Sequence, residues 1–377
     1  MKKTLLAAAL IAGFAGVAQA ETSVTLYGIL DGGIGYQKVK GSDIVDYSGN
    51  GNGHAGSYDA KKVGGINGVQ SGNRWGLKGS EDLGDGLRAI FQLESGFDLG
   101  TGNSAQGGRL FGRQATLGLA GDSWGELTGG RQTNIASKYL PGIVDPFGGG
   151  FGQANVGTSF SAANTMRWDN TVMYQTPNFS GFQFGVGYSF NVAGGQGWDV
   201  DGQDDPNGKG ITTGLRYANG PIGLVATYDQ IKSDVGDAKF KQWSVGGAYD
   251  FEVVKVSAAF AQTRDGWFQG TSFGPGFSTG TFIDADGLKV NSYLVGLSAP
   301  VGNGKILASW QMADPTSSAD AGQWSGDLDS QHVYSLGYTY NLSKRTNLYA
   351  IGSYARHALF RDDLKSTLVG VGLRHQF

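Results

Sequence analysis

The chain has 377 residues, of which 66 are glycine and none is cysteine, and only 16% are charged, with a formal net charge of −3. The missing cysteine excludes a disulfide scaffold and a thiolate metal site, and scarce proline with aperiodic glycine excludes collagen. Beyond the N-terminus no apolar run is long enough for a membrane-spanning helix, and the small net charge gives no reason to expect a nucleic-acid partner. A large, glycine-rich all-β chain remains.

The first twenty residues predict a secretory signal peptide. Two lysines open the chain, an apolar stretch follows over residues 5–17, and small residues stand at positions 18 and 20. This order is typical of a signal that is cleaved during export, here between Ala20 and Glu21. The predicted mature chain is therefore a single domain over residues 21–377.

Most of the mature chain alternates between large apolar residues and small or polar ones. Over residues 182–190 every second position is aromatic or valine, and the same alternation recurs at 242–249 and 334–340. A period of two predicts a half-buried strand. Because the second face carries Gly, Ser, Thr, Gln and Asn rather than Lys and Glu, it is suited to confined water, with the apolar face turned to lipid.

Breaks in the alternation predict sixteen strands. Seven short turn signals alternate with eight longer polar stretches at about residues 40–69, 99–108, 133–167, 192–208, 231–239, 265–287, 314–329 and 356–364. An even number of antiparallel strands, with short periplasmic turns and long extracellular loops, is typical of a transmembrane β-barrel of the outer membrane. Lipid offers no partner to an open sheet edge, so the sheet has to close, and sixteen strands enclose a water channel.

Several segments resemble the Gram-negative general porins, in particular those of the β-proteobacteria. They read VTLYGILD (24–31), RWGLKGSE (74–81), LRAIFQLE (87–94), LFGRQATLGL (110–119), GELTGGRQ (125–132) and GLRHQF (372–377). The resemblance covers the mature chain and implies a homotrimer of sixteen-stranded barrels with the third long loop folded into the lumen. It also implies that Phe377 is the signal read by the barrel-assembly machinery. Outer-membrane lipid and lipopolysaccharide are further expected partners.

Strand parity turns a set of charged side chains toward the lumen. On the second and third strands these are Arg74, Lys78, Arg88 and Glu94, and the first strand adds Asp31. The resemblance places Arg131 with Arg74 in the basic ladder of the family. We expect the four cations to face the lumen at the pore constriction, where Asp31 and Glu94 would cancel part of their field. The alternative is that the basic residues only pair with acids or line a solvated wall, without a filtering role.

The third long loop, from Thr133 to Met166, is the predicted constriction. Its tip is similar to the proline–acid–phenylalanine–glycine pattern of the family, and Asp145 is its only acidic residue. Lys138 lies in the same loop. Basic residues that face a loop with one acid predict a pore that prefers anions.

Arg113 stands at a lipid-facing parity between Phe111 and Ala115. A charge in lipid is unfavourable, and the resemblance implies the trimer junction for this position, so we expect Arg113 in a subunit contact. The acidic stretch 199–207 lacks the glycine and the final glutamate of an EF-hand, which favours a solvated loop over a calcium site.

Together these observations predict a passive diffusion channel for small hydrophilic solutes and inorganic ions, without cofactor, metal or catalysis. One alternative is a substrate-specific porin, which needs a line of aromatic side chains along the lumen; Tyr27 is one of few with inward parity. The other is an outer-membrane hydrolase, which needs clustered Ser, His and acidic residues.

Overall fold

The computed structural model describes residues 23–41, 58–233, 238–274, 277 and 280–377. Within these ranges the strands form one antiparallel sheet, which closes into a barrel because β1 pairs with β17. The predicted cleavage residues Ala20 and Glu21 lie outside the described ranges. No helix in the described part of the chain is both long and apolar enough to cross a bilayer.

The described strands and helices follow one another along the chain in this order: β1 (Ser23–Gly41), β2 (Tyr58–Asn67), β3 (Arg74–Gly84), β4 (Leu87–Gly96), β5 (Gln114–Gly121), β6 (Gly125–Thr133), α1 (Ile135–Val144), β7 (Arg167–Gln175), β8 (Phe182–Ser189), β9 (Lys209–Asn219), β10 (Ile222–Lys232), β11 (Lys239–Asp250), β12 (Lys255–Gln269), β13 (Thr281–Val301), β14 (Gly304–Ser317), β15 (Gln331–Asn341), β16 (Thr346–Arg356) and β17 (Lys365–Gln376). Single 3-10 turns lie at Gly152–Ala154, Val156–Thr158, Ser161–Ala163 and Ala358–Phe360.

Two strand segments, β2 and β3, share one position in the wall. The first part of β1 pairs with β3, and its second part pairs with β2 on the same side. Residues 68–73 separate the two segments, and Asp31 holds this break by accepting the backbone N–H of Ser71 at 2.6 Å. The described strands therefore fill sixteen wall positions, and the predicted sixteen-stranded barrel is confirmed.

The short turns and long connections lie at opposite rims, as predicted. Several strands nevertheless extend into stretches that the sequence predicts as loop. The largest differences are β2, which lies within 40–69, and β13, which begins at Thr281, within 265–287. With 21 residues, β13 is about twice as long as a strand needs to be to cross the hydrocarbon core. Beyond the lipid both faces of the wall meet water, so the apolar alternation that marks a strand is no longer required.

The third long loop, residues 134–166, lies inside the barrel, as predicted. Its helix α1 buries Ile135 and Tyr139 completely against the inner wall. The wall beneath them is glycine: a Cβ on Gly185 would lie 2.5 Å from Ile135 Cδ1, and one on Gly246 would lie 2.7 Å from Val144 Cγ1. Four further glycines meet the loop in the same way: Gly214, Gly223, Gly296 and Gly337. These six glycines therefore leave the space that the loop occupies against the inner wall.

Polar side chains of the wall bind the backbone of the loop. The N–H of Ile135 donates to Thr212 Oγ1 at 2.8 Å, and Ser257 Oγ donates to the carbonyl of Val144 at 2.6 Å. Three more wall residues donate to loop carbonyls, namely Ser292, Gln311 and Gln331. A buried backbone needs such partners, and their number fixes the position of the loop.

Candidate functional site

The loop leaves free space along the opposite wall, where polar side chains face the lumen. A cavity of about 510 Å³ lies beside β1 and β3–β6 and is lined by Lys138 of the loop and by wall residues that include Thr25, Lys78, Gln92, Thr116 and Glu126. A second cavity of about 510 Å³ has Arg109, Arg131, Arg167 and Asp169 on one side and Gln269 and Thr281 on the other. This polar lining is suited to the passage of hydrated solutes.

Between the long-loop ends of β3 and β5, two arginines face one buried carboxylate. Arg113 Nε donates to Glu94 Oε1 at 2.6 Å, and Arg74 Nη1 lies 3.8 Å from the same oxygen. The second oxygen of Glu94 accepts the hydroxyl of Tyr27 at 3.0 Å. Glu94 is 8% exposed, so its charge is balanced by these partners rather than by water.

A second carboxylate, Asp169 on β7, binds two further arginines. Arg131 Nη1 lies 2.6 Å from Asp169 Oδ1, and Arg109 Nη1 donates to both oxygens at 2.9 Å. Arg167 stands between the two groups: its Nε donates to the carbonyl of Arg113 at 3.0 Å. In the described part of the chain no carboxylate lies within 4 Å of Arg167. We call Arg74, Arg109, Arg113, Arg131 and Arg167 the arginine cluster; with Glu94 and Asp169 it leaves three positive charges unbalanced.

Arg131 reaches this cluster through a β-bulge. Glu126 and Thr128 on the same strand face the lumen, so strict alternation would turn Arg131 toward lipid. The register with β7 shifts between Gly130 and Gln132, and Gly130 has φ = +122°, which favours glycine. The bulge redirects the side chain, and the carbonyl of Gly112 accepts its Nε at 2.7 Å.

The prediction for Arg113 is wrong. Its side chain is 9% exposed and points to Glu94 inside the barrel, not to a subunit contact on the outer wall. Strand β5 begins only at Gln114, and Arg113 lies in the preceding bend. Alternation therefore does not extend to Arg113, although Phe111 remains outside against Trp75.

Lys78 and Arg88, two of the other predicted cations, lie at different heights along the barrel axis. Lys78 lines the lumen, with its Nζ 5.6 Å from the centre of the Tyr27 ring. Arg88 instead lies at the short-turn rim, where its Nη2 contacts Asp122 at 2.8 Å and both side chains are exposed. The expected position of Arg88 at the constriction is thus wrong, because parity determines the face of a strand but not the height along it.

Asp31, expected as a lumen charge, is completely buried in the wall. Besides the N–H of Ser71, it accepts the hydroxyl of Tyr349 at 2.7 Å. It therefore joins β1 and β16 and holds the break between β2 and β3. Its inward parity is as expected, because its partner Tyr349 contacts Phe151 of the third loop, with 5.6 Å between the ring centres. The expectation that it is a charge of the pore is wrong, since these neighbours cover its carboxylate completely.

Asp145, expected to face the basic wall, instead forms hydrogen bonds within its own loop. It accepts the backbone N–H groups of Phe147, Gly149 and Val156 at 2.8–3.0 Å and is 8% exposed. Burial raises the pKa of its carboxyl to about 6, against the opposing effect of the three N–H donors. The carboxylate shapes the loop tip rather than opposing the arginine cluster.

Sequence reasoning missed Arg109, Arg167 and Asp169, because the second loop and the start of β7 have no alternation to read. It also missed Arg216, whose guanidinium lies 4.8 Å from the centre of the Tyr139 ring of the loop. One feature of the sequence could have indicated Arg167: an arginine stands on each side of the third loop, at positions 131 and 167.

One acidic residue of the stretch 199–207, Asp205, already has partners within the chain. Asp205 lies 2.5 Å from Lys209, and its carboxylate also accepts the N–H of Asn207 at 3.0 Å. These partners lower the pKa of Asp205 to about 2, the lysine contact being the largest cause. A calcium ion at Asp205 would have to displace this lysine.

Comparison with known proteins fits this geometry. A Gram-negative porin family model matches residues 7–357. An outer membrane porin protein of Bordetella pertussis is 56% identical, with both chains fully covered, and outer membrane porin protein 32 of Delftia acidovorans is 33% identical over 93% of this chain and 88% of its own. The solved anion-selective porin from Comamonas acidovorans is 28% identical, with a TM-score of 0.69 over 95% of this chain and 100% of that one. The chain therefore belongs to the Gram-negative porins of the outer membrane.

Proposed function

We propose that this chain is a general diffusion porin whose lumen prefers anions. The observation that carries the proposal is the arginine cluster, which leaves three positive charges unbalanced beside the polar-lined space that the third loop leaves open. Arginine and lysine rings are the usual device of anion pores. The similar Comamonas protein is itself described as anion-selective.

The expected field is strong enough to matter. Two unit charges 4 Å apart interact by about 1 kcal/mol in water and by about 4 kcal/mol at an effective dielectric constant of 20. The Debye screening length at physiological salt is roughly 8 Å. The field of an arginine side chain therefore extends about as far into the lumen as the side chain itself is long. Unbalanced charges at the wall therefore act on each ion that passes.

The zero-current potential across a potassium chloride gradient tests the proposal. We expect the sign of an anion-selective pore for the wild type and a shift toward cation selectivity for Arg131→Ala and Arg74→Ala. Arg88→Ala is the matched control, since Arg88 is paired with Asp122 at the rim. A cation-selective wild type, or an Arg131→Ala pore with an unchanged potential, would contradict anion preference.

Passive diffusion without a dedicated substrate is also part of the proposal. Tyr27 is hydrogen-bonded to Glu94 and Gln92 rather than stacked in a series of rings, which disfavours the sliding track of a sugar-specific porin. The relatives of this chain are porins, and we infer that the chain likewise catalyses no reaction. Liposome swelling should decrease smoothly with the size of neutral sugars; one sugar passing far faster than its size allows would favour a specific channel.

We further propose that the barrel forms a homotrimer, surrounded by lipopolysaccharide in the outer leaflet. Large aliphatic side chains are exposed on the early strands, with Leu117 at 69% and Val24 at 61%. The unheated protein should migrate near three times the mass of the mature chain, which is slightly below the 39.5 kDa of the precursor. A monomer in mild detergent that does not cross-link would contradict the trimer.

A further inference from the structure

Three cations form a row across the outer wall near the long-loop rim. Lys241 on β11 lies directly opposite Arg264 on β12, which lies directly opposite Lys289 on β13. We call these residues the cationic row. Their side chains point away from the lumen, because the residues that alternate with them are buried on the inner side of the wall: Gln242, Thr263 and Val290.

Among the described residues, the cationic row has no acidic partner. Like charges on directly opposite strand positions destabilise a sheet, yet among the described residues no carboxylate lies within 4 Å of these three. Elsewhere on the wall the chain supplies one: Lys38 lies 2.9 Å from Asp59, and Lys209 lies 2.5 Å from Asp205. The cationic row is therefore suited to anions from outside the protein.

Below the cationic row the outer wall changes in character toward the membrane. An amide layer comes first: Gln262 Nε2 donates to Asn291 Oδ1 at 2.9 Å, and Arg264 Nε donates to Gln262 Oε1 at 2.7 Å. Aromatic rings follow, with Phe260 5.2 Å from the ring centre of Trp243 and 5.1 Å from that of Tyr293. Exposed valines and leucines continue below them: Val245, Val295 and Leu297.

We propose that the cationic row binds the phosphate groups of lipopolysaccharide in the outer leaflet. The order of cations, amides, aromatic rings and aliphatic side chains matches a lipid whose phosphates stand on sugars above the acyl chains. A glycerophospholipid has a phosphate but no sugar layer to occupy the amides. The inference rests on the proposed setting of the porin in lipopolysaccharide and deepens it by assigning the residues.

Titration of the full-length protein, refolded without lipopolysaccharide, tests the assignment. The variant Lys241→Gln/Arg264→Gln/Lys289→Gln should bind purified lipopolysaccharide at least tenfold more weakly, since each Lys or Arg near an anionic membrane surface contributes about fivefold in affinity. The control Lys305→Gln/Lys344→Gln/Arg345→Gln removes the same charge near the short-turn rim, where all three residues are exposed, and should bind like the wild type. Equal affinity of the cationic-row variant and the wild type would overturn the proposal.

Two further probes identify the chemistry. Dephosphorylated lipopolysaccharide should bind the wild type as weakly as intact lipopolysaccharide binds the cationic-row variant. Phosphatidylglycerol vesicles should compete poorly, and competition equal to that of lipopolysaccharide would show a general anionic-lipid surface and overturn the assignment. The single variant Arg264→Gln, expected to lose about fivefold, tests the same point if the triple variant does not fold.

The channel readout separates this inference from the proposed function. The zero-current potential of the cationic-row variant should equal that of the wild type, because the row lies outside the lumen. A changed potential would place the row in the ion path and overturn its assignment to the outer wall. A cation-selective wild type that still binds lipopolysaccharide through the row would contradict the pore proposal alone.

Discussion

At the scale of single residues, ion pairs of this barrel differ mainly in their access to water. Arg113 and Glu94 are each about nine-tenths buried, whereas Arg88 and Asp122 have side-chain exposures of 42% and 75%. Removing one partner of a buried pair leaves the other charge buried without a partner, which lowers the free energy of unfolding by about 3–5 kcal/mol. An exposed pair contributes only about 0–1 kcal/mol. The two pairs make a matched comparison within one protein.

We predict that Glu94→Gln destabilises the barrel by a few kcal/mol and increases anion preference, since it removes one of the two carboxylates in the arginine cluster. Loss of the high-mass band of the unheated protein as the temperature rises measures the first effect, and the zero-current potential measures the second. Asp122→Asn should leave both unchanged. If the two variants unfold at the same temperature, Glu94 does not hold the cluster.

At the scale of elements, the infolded loop and the inner wall depend on each other. The helix α1 lies on glycines, which give a flat wall, and a larger residue there meets the loop before it meets the strands. At Gly185 the neighbours of an added Cβ are Ile135 and Tyr139, both in the loop. A substitution at Gly185 therefore tests the loop position rather than the sheet.

We predict that Gly185→Leu lowers single-channel conductance severalfold without preventing barrel formation, because the new side chain pushes α1 into the open lumen. Gly352→Leu is the control: it adds the same atoms where no other atom lies within 4 Å of the new Cβ. Its conductance should match that of the wild type. Unchanged conductance in Gly185→Leu would mean that the loop position does not limit the pore.

At the scale of the whole molecule, the two chain ends close the barrel. The N–H of Gly28 donates to the carbonyl of Phe377 at 3.1 Å, and the N–H of Phe377 donates to that of Gly28 at 3.2 Å. The Phe377 ring lies against Gly28, where a Cβ would collide with it. The residue that the family resemblance assigns to assembly is thus also part of the closing seam.

We predict that deleting Phe377 strongly reduces the amount of folded protein at the cell surface, since the deletion removes both hydrogen bonds and the ring. Phe377→Tyr, which keeps all three, should insert almost normally. Surface labelling together with the unheated gel band gives the folded fraction. Normal surface levels after the deletion would contradict both the assembly role and the seam.

The sequence alone determined the properties that repeat. Alternation along each strand reflects lipid on one side and water on the other, so it predicted the barrel, the strand number and the inward side of Arg74, Lys78 and Glu94. It failed where the chain leaves this periodic environment: at the bend that contains Arg113, and in the wall above the lipid at β2. Arg131 was placed by family resemblance, because its bulge hides it from parity.

The tertiary structure alone decided which charges meet and which are neutralised. Asp31 and Asp145 have the sequence character of pore acids, but hydrogen-bond donors engage both of them. The donors to Asp31 come from distant segments, and the donors to Asp145 come from its own loop. Arg109 and Arg167 join the lumen because the second and third loops bring them to Asp169 and Arg113. The physical reason is that solvation depends on what closes over a side chain, and for Asp31, Arg109 and Arg167 those neighbours are remote in sequence.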